Sequence, residues 1–412
     1  MAIVKPFCCI RPAEGLAEQV AALPYDVYSR EEARKAAEKN PLSFLNIDRP
    51  ETQLPENADM YGEEAYQTAR RLLEARIKDG TFTEDKNEKY FIYELTMDGR
   101  SQTGITACCA IDDYVSGVIK KHENTRKEKE LDRIRHVDVT DANTGPIFLA
   151  YRPDRELNRL TDQVKEGIPL YDFISEDGIG HRVWEVEEPE RMAAVEAAFE
   201  KVPALYIADG HHRAASAVKV GLKRRAEHPD YIGEEPFNYF LAVLFPADQL
   251  NILPYNRVVR DRNGLSEAEF LKAVEKCFDI SKAGKEAVSP EKKGEFGVFL
   301  GGCWYRLTAK PEIQNEDPVA GLDVSILQDY LLGPVLGIGD PKTDKRIDFI
   351  GGIRGLKELE RRAGSGAGIG FSMYPTSMEE LLQVADAGEL MPPKSTWFEP
   401  KLRSGLFIHR LS

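Results

Sequence analysis

The chain has 412 residues, 42% hydrophobic and 30% charged, which is typical of a soluble globular protein long enough for two or more domains. Its formal net charge of −14 argues against non-specific nucleic-acid binding, which requires a positive surface. No signal-peptide core and no membrane-spanning apolar run is seen, so we expect a cytoplasmic protein without membrane partners. The six cysteines lack metal-ligand spacing and are expected to be buried, reduced thiols.

The first 110 residues predict both helices and strands. A capping-box pattern predicts a helix over 29–39. Apolar residues at helical spacing predict a second helix over 61–78. Two strand-like runs, 90–95 and 102–110, are joined through Asp98-Gly99, a pair typical of a tight β-hairpin. This part of the chain therefore mixes helices with an antiparallel pair.

The stretch over 119–133 joins an apolar strand end to alternating acids and bases. Such alternation is typical of a solvated helix face, and we assign that interpretation to residues 127–130. His122 and Glu123 directly follow the strand end. A carboxylate in that position, facing a phosphate site, is suited to act as a general base, so Glu123 is the candidate base and His122 its neighbour.

Residues 204–215 form the most informative stretch. The apolar run 204–208 predicts a short buried strand. Gly210 permits a sharp turn because it adopts positive φ without steric cost, and a helix is predicted over 214–225. Asp209 occupies the expected N-cap position of that helix.

This predicted turn has the features of an anion site. A strand that turns through glycine into a helix directs free backbone N–H groups at the turn. His211 and His212 add side-chain donors, and Arg213 can hold a phosphate through two hydrogen bonds. The alternative is a capped helix whose basic residues are incidental.

The rest of the chain continues to alternate. Residues 150–203 are expected to be a helix-rich connection. The glycine-rich run 364–370 is interpreted as a flexible loop, since no Lys-Ser/Thr follows it and it leads into a strand. The remaining predictions are strands over 240–245, 253–259 and 369–374, a strand and turn over 347–352, and helices over 322–332 and 377–387.

A last polar motif lies near the end of the chain. Two prolines precede Lys394, Ser395 and Thr396, and they rigidify the entry to this triplet. An ammonium and two hydroxyls are groups that a carboxylate or phosphate binds well. The alternative is a terminal loop that docks the last strand.

Nearly the whole chain resembles the family named domain of unknown function 1015. The motifs that carry this resemblance are long and occur in order. They are residues 23–27, 40–45, 121–125, 209–213, 253–257 and 391–407.

Three motifs also resemble the free-serine kinases of the ParB/sulfiredoxin-like superfamily. Those enzymes carry a Pro-His-Glu with a catalytic glutamate, an Asp-Gly-His-His-Arg phosphate turn and a late Pro-Lys-Thr-Thr. The counterparts here are residues 121–123, 209–213 and 393–396. About 85 residues separate Glu123 from Asp209, which implies an inserted segment over 152–203.

The interleaved elements predict an α/β (α+β) fold with a mixed sheet. The resemblance implies a ParB/sulfiredoxin-like kinase core with inserted and appended segments. We expect an N-terminal and catalytic region over 1–260, and a C-terminal α/β region over 261–412 that completes the active site.

The predicted activity is phosphoryl transfer between ATP or ADP and the hydroxyl of free serine or a similar small molecule, giving O-phosphoserine or running in reverse. This chemistry requires mainly positioning and charge neutralisation. Mg²⁺ is the expected metal, with Asp209 as its ligand. The assigned roles are catalysis by Glu123, His122 and Asp209, nucleotide binding by Gly210, His211, His212 and Arg213, and substrate binding by Lys394, Ser395 and Thr396.

Two other functions are kept open. The same site suits a phosphoserine phosphatase-like hydrolase, or a non-catalytic nucleotide-binding regulatory module of ParB type. A DNA clamp would require a basic pair of helices, which the sequence does not indicate. The expected partners are a nucleotide and serine or phosphoserine, without nucleic acid, and a homodimer is left open.

Overall fold

The computed structural model describes residues 1–364 and 366–412. It divides the chain into two units, residues 1–250 together with 400–412, and residues 251–399. Each unit combines helices with β-sheet, which confirms the predicted mixed α/β class. The sequence-based division at residue 260 stays a prediction.

The larger sheet of the first unit is mixed, with the strand order β6-β11-β8-β12-β5-β4-β10-β9 and β1 beside β5. Its strands are β1 (Val4–Lys5), β4 (Tyr90–Met97), β5 (Arg100–Ala110), β6 (Ile119–Lys120), β8 (Ile147–Tyr151), β9 (Tyr171–Ile174), β10 (Gly180–Val186), β11 (Leu205–Asp209) and β12 (Tyr239–Pro246). A smaller sheet has the order β3-β2-β21-β7. Its strands are β2 (Cys9–Pro12), β3 (Phe82–Glu84), β7 (Ala142–Asn143) and β21 (Ile408–Arg410).

Helices pack around these sheets. The α-helices of the first unit are α1 (Ala17–Val20), α2 (Arg30–Lys39), α3 (Leu45–Asp48), α4 (Glu63–Lys78), α5 (Ile111–Ser116), α6 (Lys127–Thr140), α7 (Arg155–Lys165), α8 (Pro189–Phe199) and α9 (His211–Glu227). Short 3-10 helices lie at Tyr25–Val27, Pro50–Gln53, Pro236–Asn238 and Ala247–Gln249. None of the helices in the described residues is long and apolar enough to cross a membrane.

Local sequence signals account for several of these elements. Helix α2 begins at the predicted capping box, in which the Ser29 hydroxyl accepts from the Glu32 N–H. Strands β4 and β5 pair antiparallel across Asp98 and Gly99, whose φ values of 51° and 78° match the turn that favours this pair. Both predictions are confirmed.

The core of the first unit lies against strand β12. This strand pairs antiparallel with β5 and parallel with β8, and its residues Phe240 to Phe245 are fully buried. Burial on both faces explains why its sequence is a continuous apolar run rather than an alternating one. The strand prediction over 240–245 is therefore confirmed.

Strands β6 and β11 lie side by side at one edge of this sheet and run parallel, with Leu205 opposite Ile119 and Tyr206 opposite Lys120. The carboxyl ends of parallel neighbours lie at the same end of the sheet. The residues after β6 and those after β11 therefore meet there. This pairing places the candidate site.

The segment over 150–203 differs from its prediction. It contains helices α7 and α8, but between them β9 and β10 form an antiparallel hairpin, and β10 pairs with β4. The segment is thus an extension of the sheet and not only a helix-rich connection. Its strands alternate buried and exposed residues, a pattern that marks a strand with one solvated face.

The second unit carries the sheet order β15-β17-β16-β19-β14-β18 and the pair β13-β20. Its strands are β13 (Asn251–Leu253), β14 (Tyr255–Val259), β15 (Phe278–Gly284), β16 (Glu295–Leu300), β17 (Cys303–Ala309), β18 (Ile347–Gly351), β19 (Ile369–Met373) and β20 (Trp397–Glu399). Its α-helices are α10 (Glu267–Val274), α11 (Asp323–Leu327), α12 (Leu356–Ala363) and α13 (Met378–Asp386), with 3-10 helices at Pro311–Ile313 and Gly352–Arg354.

Two predictions in the second unit need comment. The helix predicted over 322–332 is α11 followed by a π-helical turn, Gln328–Leu332. The glycine-rich run 364–370 includes Ser365, which lies outside the described residues. All six cysteines are free thiols, but only Cys9, Cys108 and Cys109 are buried, so the expectation that all would be buried is wrong.

Candidate active site

The turn before α9 is built around a glycine. Strand β11 ends at Asp209, Gly210 has φ +91° in the N-cap position, and α9 begins at His211. A Cβ at Gly210 would lie 3.1 Å from the Arg213 guanidinium, so glycine serves both the positive φ and the close approach. The first-turn N–H groups of α9 have no intrahelical partner and give this end positive character.

Asp209 is not the helix cap that the sequence predicts. One carboxylate oxygen accepts from the Lys401 ammonium at 3.1 Å, and the other accepts from the Gly210 N–H at 2.8 Å. Burial alone would raise the pKa of Asp209, but Lys401 and Arg213 hold it well below its ordinary value. The carboxylate is therefore ionised and already neutralised by a lysine almost two hundred residues away in sequence.

The segment that carries Glu123 is attached to this turn at both ends. The His122 N–H faces His211 Nε2 at 3.5 Å, and the Arg126 N–H donates to His212 Nε2 at 2.9 Å. Glu123 lies between these two contacts and is partly exposed. The structure thus brings the segment after β6 and the start of α9 together.

These contacts define the state of the two helix histidines. A ring nitrogen that accepts a hydrogen bond carries no proton, so Nε2 of His211 and of His212 acts as an acceptor in these contacts. Burial, together with the neighbouring His122, also lowers the pKa of His211 well below its ordinary value. At this turn the positive charge comes from Arg213 and the helix end, while the histidines hold the neighbouring segment.

His122 is buried next to His211. The two rings meet edge to face with centroids 4.5 Å apart. Burial lowers the pKa of His122 to about 4, against the opposing effects of Asp209 and of the hydrogen bond with the Ile207 carbonyl. Within the described residues its buried Nδ1 has no hydrogen-bond partner. His122 is therefore a neutral packing group at pH 7.

Arg213 is held by its surroundings. Its NH1 donates to the Pro146 carbonyl at 2.6 Å, and the guanidinium packs against Gly210. Its charge contributes to keeping Asp209 ionised. A fixed, partly exposed guanidinium at a helix N-terminus is suited to bind an anion.

The expected Mg²⁺ finds few ligands here. The described residues contain no group of three or more His, Cys, Asp or Glu side chains that could hold a metal ion. Mg²⁺ bound with nucleotide phosphates needs only one or two carboxylates. Both oxygens of Asp209 already accept hydrogen bonds, so its donor set does not fit a bound Mg²⁺, and no step below uses one.

The triplet Lys394, Ser395 and Thr396 belongs to the second unit. Lys394 has a positive φ of 60°, and its ammonium lies 5.5 Å from the centre of the Tyr255 ring. Ser395 is buried, and its hydroxyl donates to the Pro392 carbonyl at 2.6 Å. The triplet thus forms a tightly bonded loop. Its expected union with Glu123 and Asp209 in one pocket stays a prediction.

Sequence reasoning missed Lys401 and misread Glu130. Lys401 lies in the closing motif, whose basic character was visible but whose partner was not. Glu130 was assigned to a solvated face, yet it is buried and its carboxylate accepts from Lys219 and Thr125. Acids and bases that alternate on a helix can hide a buried face, and the period of the neighbouring apolar residues is the available signal.

No curated protein matches this sequence. Among solved structures, a free serine kinase in complex with AMP is 15% identical with a TM-score of 0.36, and the match covers 74% of this chain and 91% of that chain. SbnI with a C-terminal truncation from Staphylococcus aureus is 10% identical with a TM-score of 0.38, and the match covers 74% of this chain and 87% of that chain. A conserved hypothetical protein from Pyrococcus furiosus is 13% identical with a TM-score of 0.36, and the match covers 74% of this chain and 95% of that chain.

Likeness of this degree does not identify an activity. The sequence itself places the chain more firmly. A family model described as protein of unknown function (DUF1015) matches residues 4–325, which is well over half of the chain. The chain belongs to that family.

Proposed function

We propose that this protein transfers a phosphoryl group between a nucleotide and the hydroxyl of free serine or a similar small molecule. One observation carries the proposal. The segment bearing Glu123 is bonded through His122 and Arg126 to the two histidines that open α9. A carboxylate-bearing segment is thereby held at an anion-binding helix end, which is the pairing that phosphoryl transfer to a hydroxyl requires.

The nucleotide phosphates bind at the start of α9. The N–H groups of its first turn and the Arg213 guanidinium supply the donors. Because Lys401 neutralises Asp209, that carboxylate does not repel the phosphates as a bare charge would. Positioning and charge neutralisation are the main demands of this chemistry.

In the reaction the acceptor hydroxyl oxygen forms a bond to the terminal phosphorus, and the bond from that phosphorus to the nucleotide oxygen breaks. Glu123 accepts the hydroxyl proton as the new bond forms. The products are O-phosphoserine and a nucleotide shorter by one phosphate, ADP from ATP or AMP from ADP. In the reverse direction Glu123 returns the proton.

His122 and His211 act as positioning residues in this scheme. They are neutral and buried, and they link the two segments that carry the reacting groups. In the second unit, Lys394 and Thr396 remain candidates for binding the substrate's carboxylate or phosphate. The Ser395 hydroxyl is less suited because it already donates to the Pro392 carbonyl.

The test is an incubation of the full chain with terminally labelled ATP or ADP and L-serine, followed by separation of the products. Appearance of labelled O-phosphoserine supports the proposal. Release of phosphate from O-phosphoserine without nucleotide would instead support the phosphatase-like hydrolase. Nucleotide binding without turnover in either direction would support the regulatory module.

A further inference from the structure

The buried arginines of this chain show how the fold satisfies a guanidinium. Among the described residues five arginines are buried, and three of them form an ion pair with a carboxylate. These pairs are Arg49 with Glu51 at 2.6 Å, Arg133 with Asp132 at 2.9 Å and Arg403 with Asp177 at 2.6 Å. A buried charge without a counter-charge is costly, so such a pair is the expected arrangement. The other two, Arg76 and Arg257, donate to backbone carbonyls instead.

Arg76 is satisfied by the backbone. Its two terminal nitrogens make four hydrogen bonds with the carbonyls of residues 41–43. The exposed Asp79 carboxylate also opposes the effect of burial, which lowers the pKa of Arg76. A guanidinium used in this way holds a loop together and keeps few donors for a ligand.

Arg257 has neither kind of compensation. It lies on β14 of the second unit and is 3% exposed. One terminal nitrogen donates to the Tyr255 carbonyl and the other donates to the Lys394 carbonyl at 3.1 Å. These bonds use two of the five N–H groups, so three have no partner among the described residues. Burial lowers the pKa of Arg257 to about 10, and the group that opposes this shift is the Tyr255 side chain, not a carboxylate.

Aromatic rings surround this guanidinium. Phe349 lies opposite Arg257 on β18, with its ring centre 5.6 Å from the guanidinium carbon. The Tyr255 ring meets the rings of Phe349 and Trp397 edge to face, at 6.1 and 5.2 Å. The Lys394 ammonium lies 5.5 Å from the centre of the Tyr255 ring, so a second positive charge borders the same ring cluster. Rings offset part of the cost of a buried cation, but they do not neutralise it.

The guanidinium is also fixed and reachable. Lys394, whose carbonyl it holds, has a positive φ of 60°, a conformation that a non-glycine residue adopts where its surroundings impose it. Side-chain atoms that are sealed from solvent and lack a partner do occur in the described chain, but Arg257 Nε is not one of them. Phe349 and Trp397 are partly exposed and Lys394 is exposed. A small anion can therefore approach the Nε–H past these side chains.

We propose that the second unit binds a small oxyanion, a carboxylate or phosphate group, at the Arg257 guanidinium. Two oxygens of the anion accept from Nε–H and from a neighbouring terminal N–H, the fork that a guanidinium offers to such groups. The anion supplies the counter-charge that a carboxylate supplies to Arg49, Arg133 and Arg403. This site requires neither Glu123 nor the turn before α9, so it does not rest on the proposed phosphoryl transfer.

The assignment gives a role to the motif over 253–257, which the proposed function does not use. Tyr255 and Arg257 are two residues apart on β14 and therefore share one face of the strand. Asn256 lies on the other face, where its buried side-chain oxygen accepts from the Met373 N–H at 3.0 Å and ties β14 to β19. The motif thus carries the anion site on one face and its anchor on the other.

The first experiment measures thermal unfolding of the full chain during titration with sodium phosphate or sodium acetate, with sodium chloride of equal ionic strength as the reference. It uses Arg213→Ala, which removes the guanidinium of the phosphate turn. We expect phosphate, acetate or both to raise the unfolding temperature above that in chloride, in a saturable manner. Saturation by phosphate alone identifies a phosphate site, and saturation by acetate identifies a carboxylate site. No saturable effect of either anion would overturn the proposal.

The second experiment adds Arg257→Gln to Arg213→Ala. Glutamine keeps an amide donor and removes the charge, so we expect the anion affinity to fall at least about tenfold, the scale of a lost charge-assisted pair. Arg257→Lys keeps the charge without two parallel donors and should give an intermediate affinity. If Arg257→Gln does not fold, this lysine variant decides the matter, because an anion affinity equal to that of its parent would refute the fork.

The matched control is Arg76→Gln, in which the other buried arginine without an ion pair loses its charge. We expect it to lower the unfolding temperature without anion and to leave the anion affinity unchanged. An equal loss of affinity in Arg76→Gln and Arg257→Gln, or no loss in either, would make Arg257 a second loop clamp and overturn the anion site. Failure of the phosphoryl-transfer assay would leave this titration unaffected, so the two proposals are tested separately.

Discussion

Two motifs of this chain bring polar side chains to a short turn, and these side chains bond to different kinds of partner. At the start of α9, the side chains of His211 and His212 face backbone N–H groups of the segment after β6. In the loop before β20, the Ser395 hydroxyl donates to the Pro392 carbonyl only three residues away. The first turn joins two distant segments, whereas the second closes on itself.

The difference shows what a motif can and cannot reveal. Both sequences indicate an unusual backbone conformation, through Gly210 in one case and through adjacent prolines in the other. Which polar atoms remain for a ligand depends on pairings that the motif does not contain. At α9 the helix end and the Arg213 guanidinium present N–H donors, so the turn suits an anion. In the loop, the Ser395 hydroxyl already donates its hydrogen bond to a carbonyl of the same loop.

Glu123→Gln gives the largest expected effect on the α9 side of this comparison. The side chain is nearly isosteric and the phosphate turn is untouched, so nucleotide affinity is expected to stay within about twofold while turnover falls about 10²–10⁴-fold. Initial rates of O-phosphoserine formation and equilibrium nucleotide binding measure the two quantities. Glu128→Gln, on the exposed face of α6, is the matched control.

The opposite pattern in Glu123→Gln would be informative. If nucleotide binding is lost while the bound complex keeps its rate, Glu123 is a structural carboxylate. The base would then be sought at Asp26 or Asp132. Asp132 is the weaker of these, because it is buried and already bonded to Tyr66 and Arg133.

The buried histidine in the same region predicts a dependence of stability on pH. Unfolded histidine binds a proton near pH 6.5, whereas folded His122 does so only near pH 4. Between these values the unfolded state holds more protons, so the free energy of unfolding decreases as the pH falls, by roughly 3 kcal/mol from this group. Urea unfolding at several pH values measures the slope.

The variant His122→Phe isolates that contribution. It keeps an aromatic ring against His211 and removes the titrating group, so its stability is expected to fall less between pH 6.5 and 4. His228→Gln, a change at an exposed histidine, is the control. An unchanged slope in His122→Phe would assign the acid sensitivity to the other buried histidines, such as His409, whose pKa burial lowers to about 4.

The same contrast between local and distant pairing explains how much could be predicted from the sequence. Strand β11, the hairpin at Asp98-Gly99 and the capping box at Ser29 follow from neighbouring residues, and all were predicted. The prediction of Asp209 as a helix cap is wrong because its partner, Lys401, lies far away in sequence. The contact of the Arg133 guanidinium with the Tyr25 ring was missed for the same reason, since these residues come together only in the folded unit.

Arg213→Ala is expected to have an intermediate effect. It removes a charge that the nucleotide phosphates use in the ground state, so nucleotide affinity should fall about 10- to 100-fold, and turnover should fall with it. This differs from Glu123→Gln, where affinity is kept. Arg213→Lys should recover part of the affinity, because lysine keeps the positive charge but cannot donate the two parallel hydrogen bonds of a guanidinium. Arg135→Ala, at an exposed arginine on α6, serves as the control, and unchanged nucleotide affinity in Arg213→Ala would remove Arg213 from the phosphate site.

Ser395→Ala tests the other side of the comparison and has the smallest expected effect. It removes the hydroxyl that donates to the Pro392 carbonyl, so the free energy of unfolding should fall by about 1 kcal/mol, the usual net value of such a bond. The affinities for nucleotide and serine should not change, because this hydroxyl holds the loop and not a ligand. Thr396→Val, which deletes the adjacent hydroxyl at nearly constant volume, is the paired variant. A higher serine KM in Ser395→Ala with unchanged stability would contradict this assignment and return the hydroxyl to the substrate.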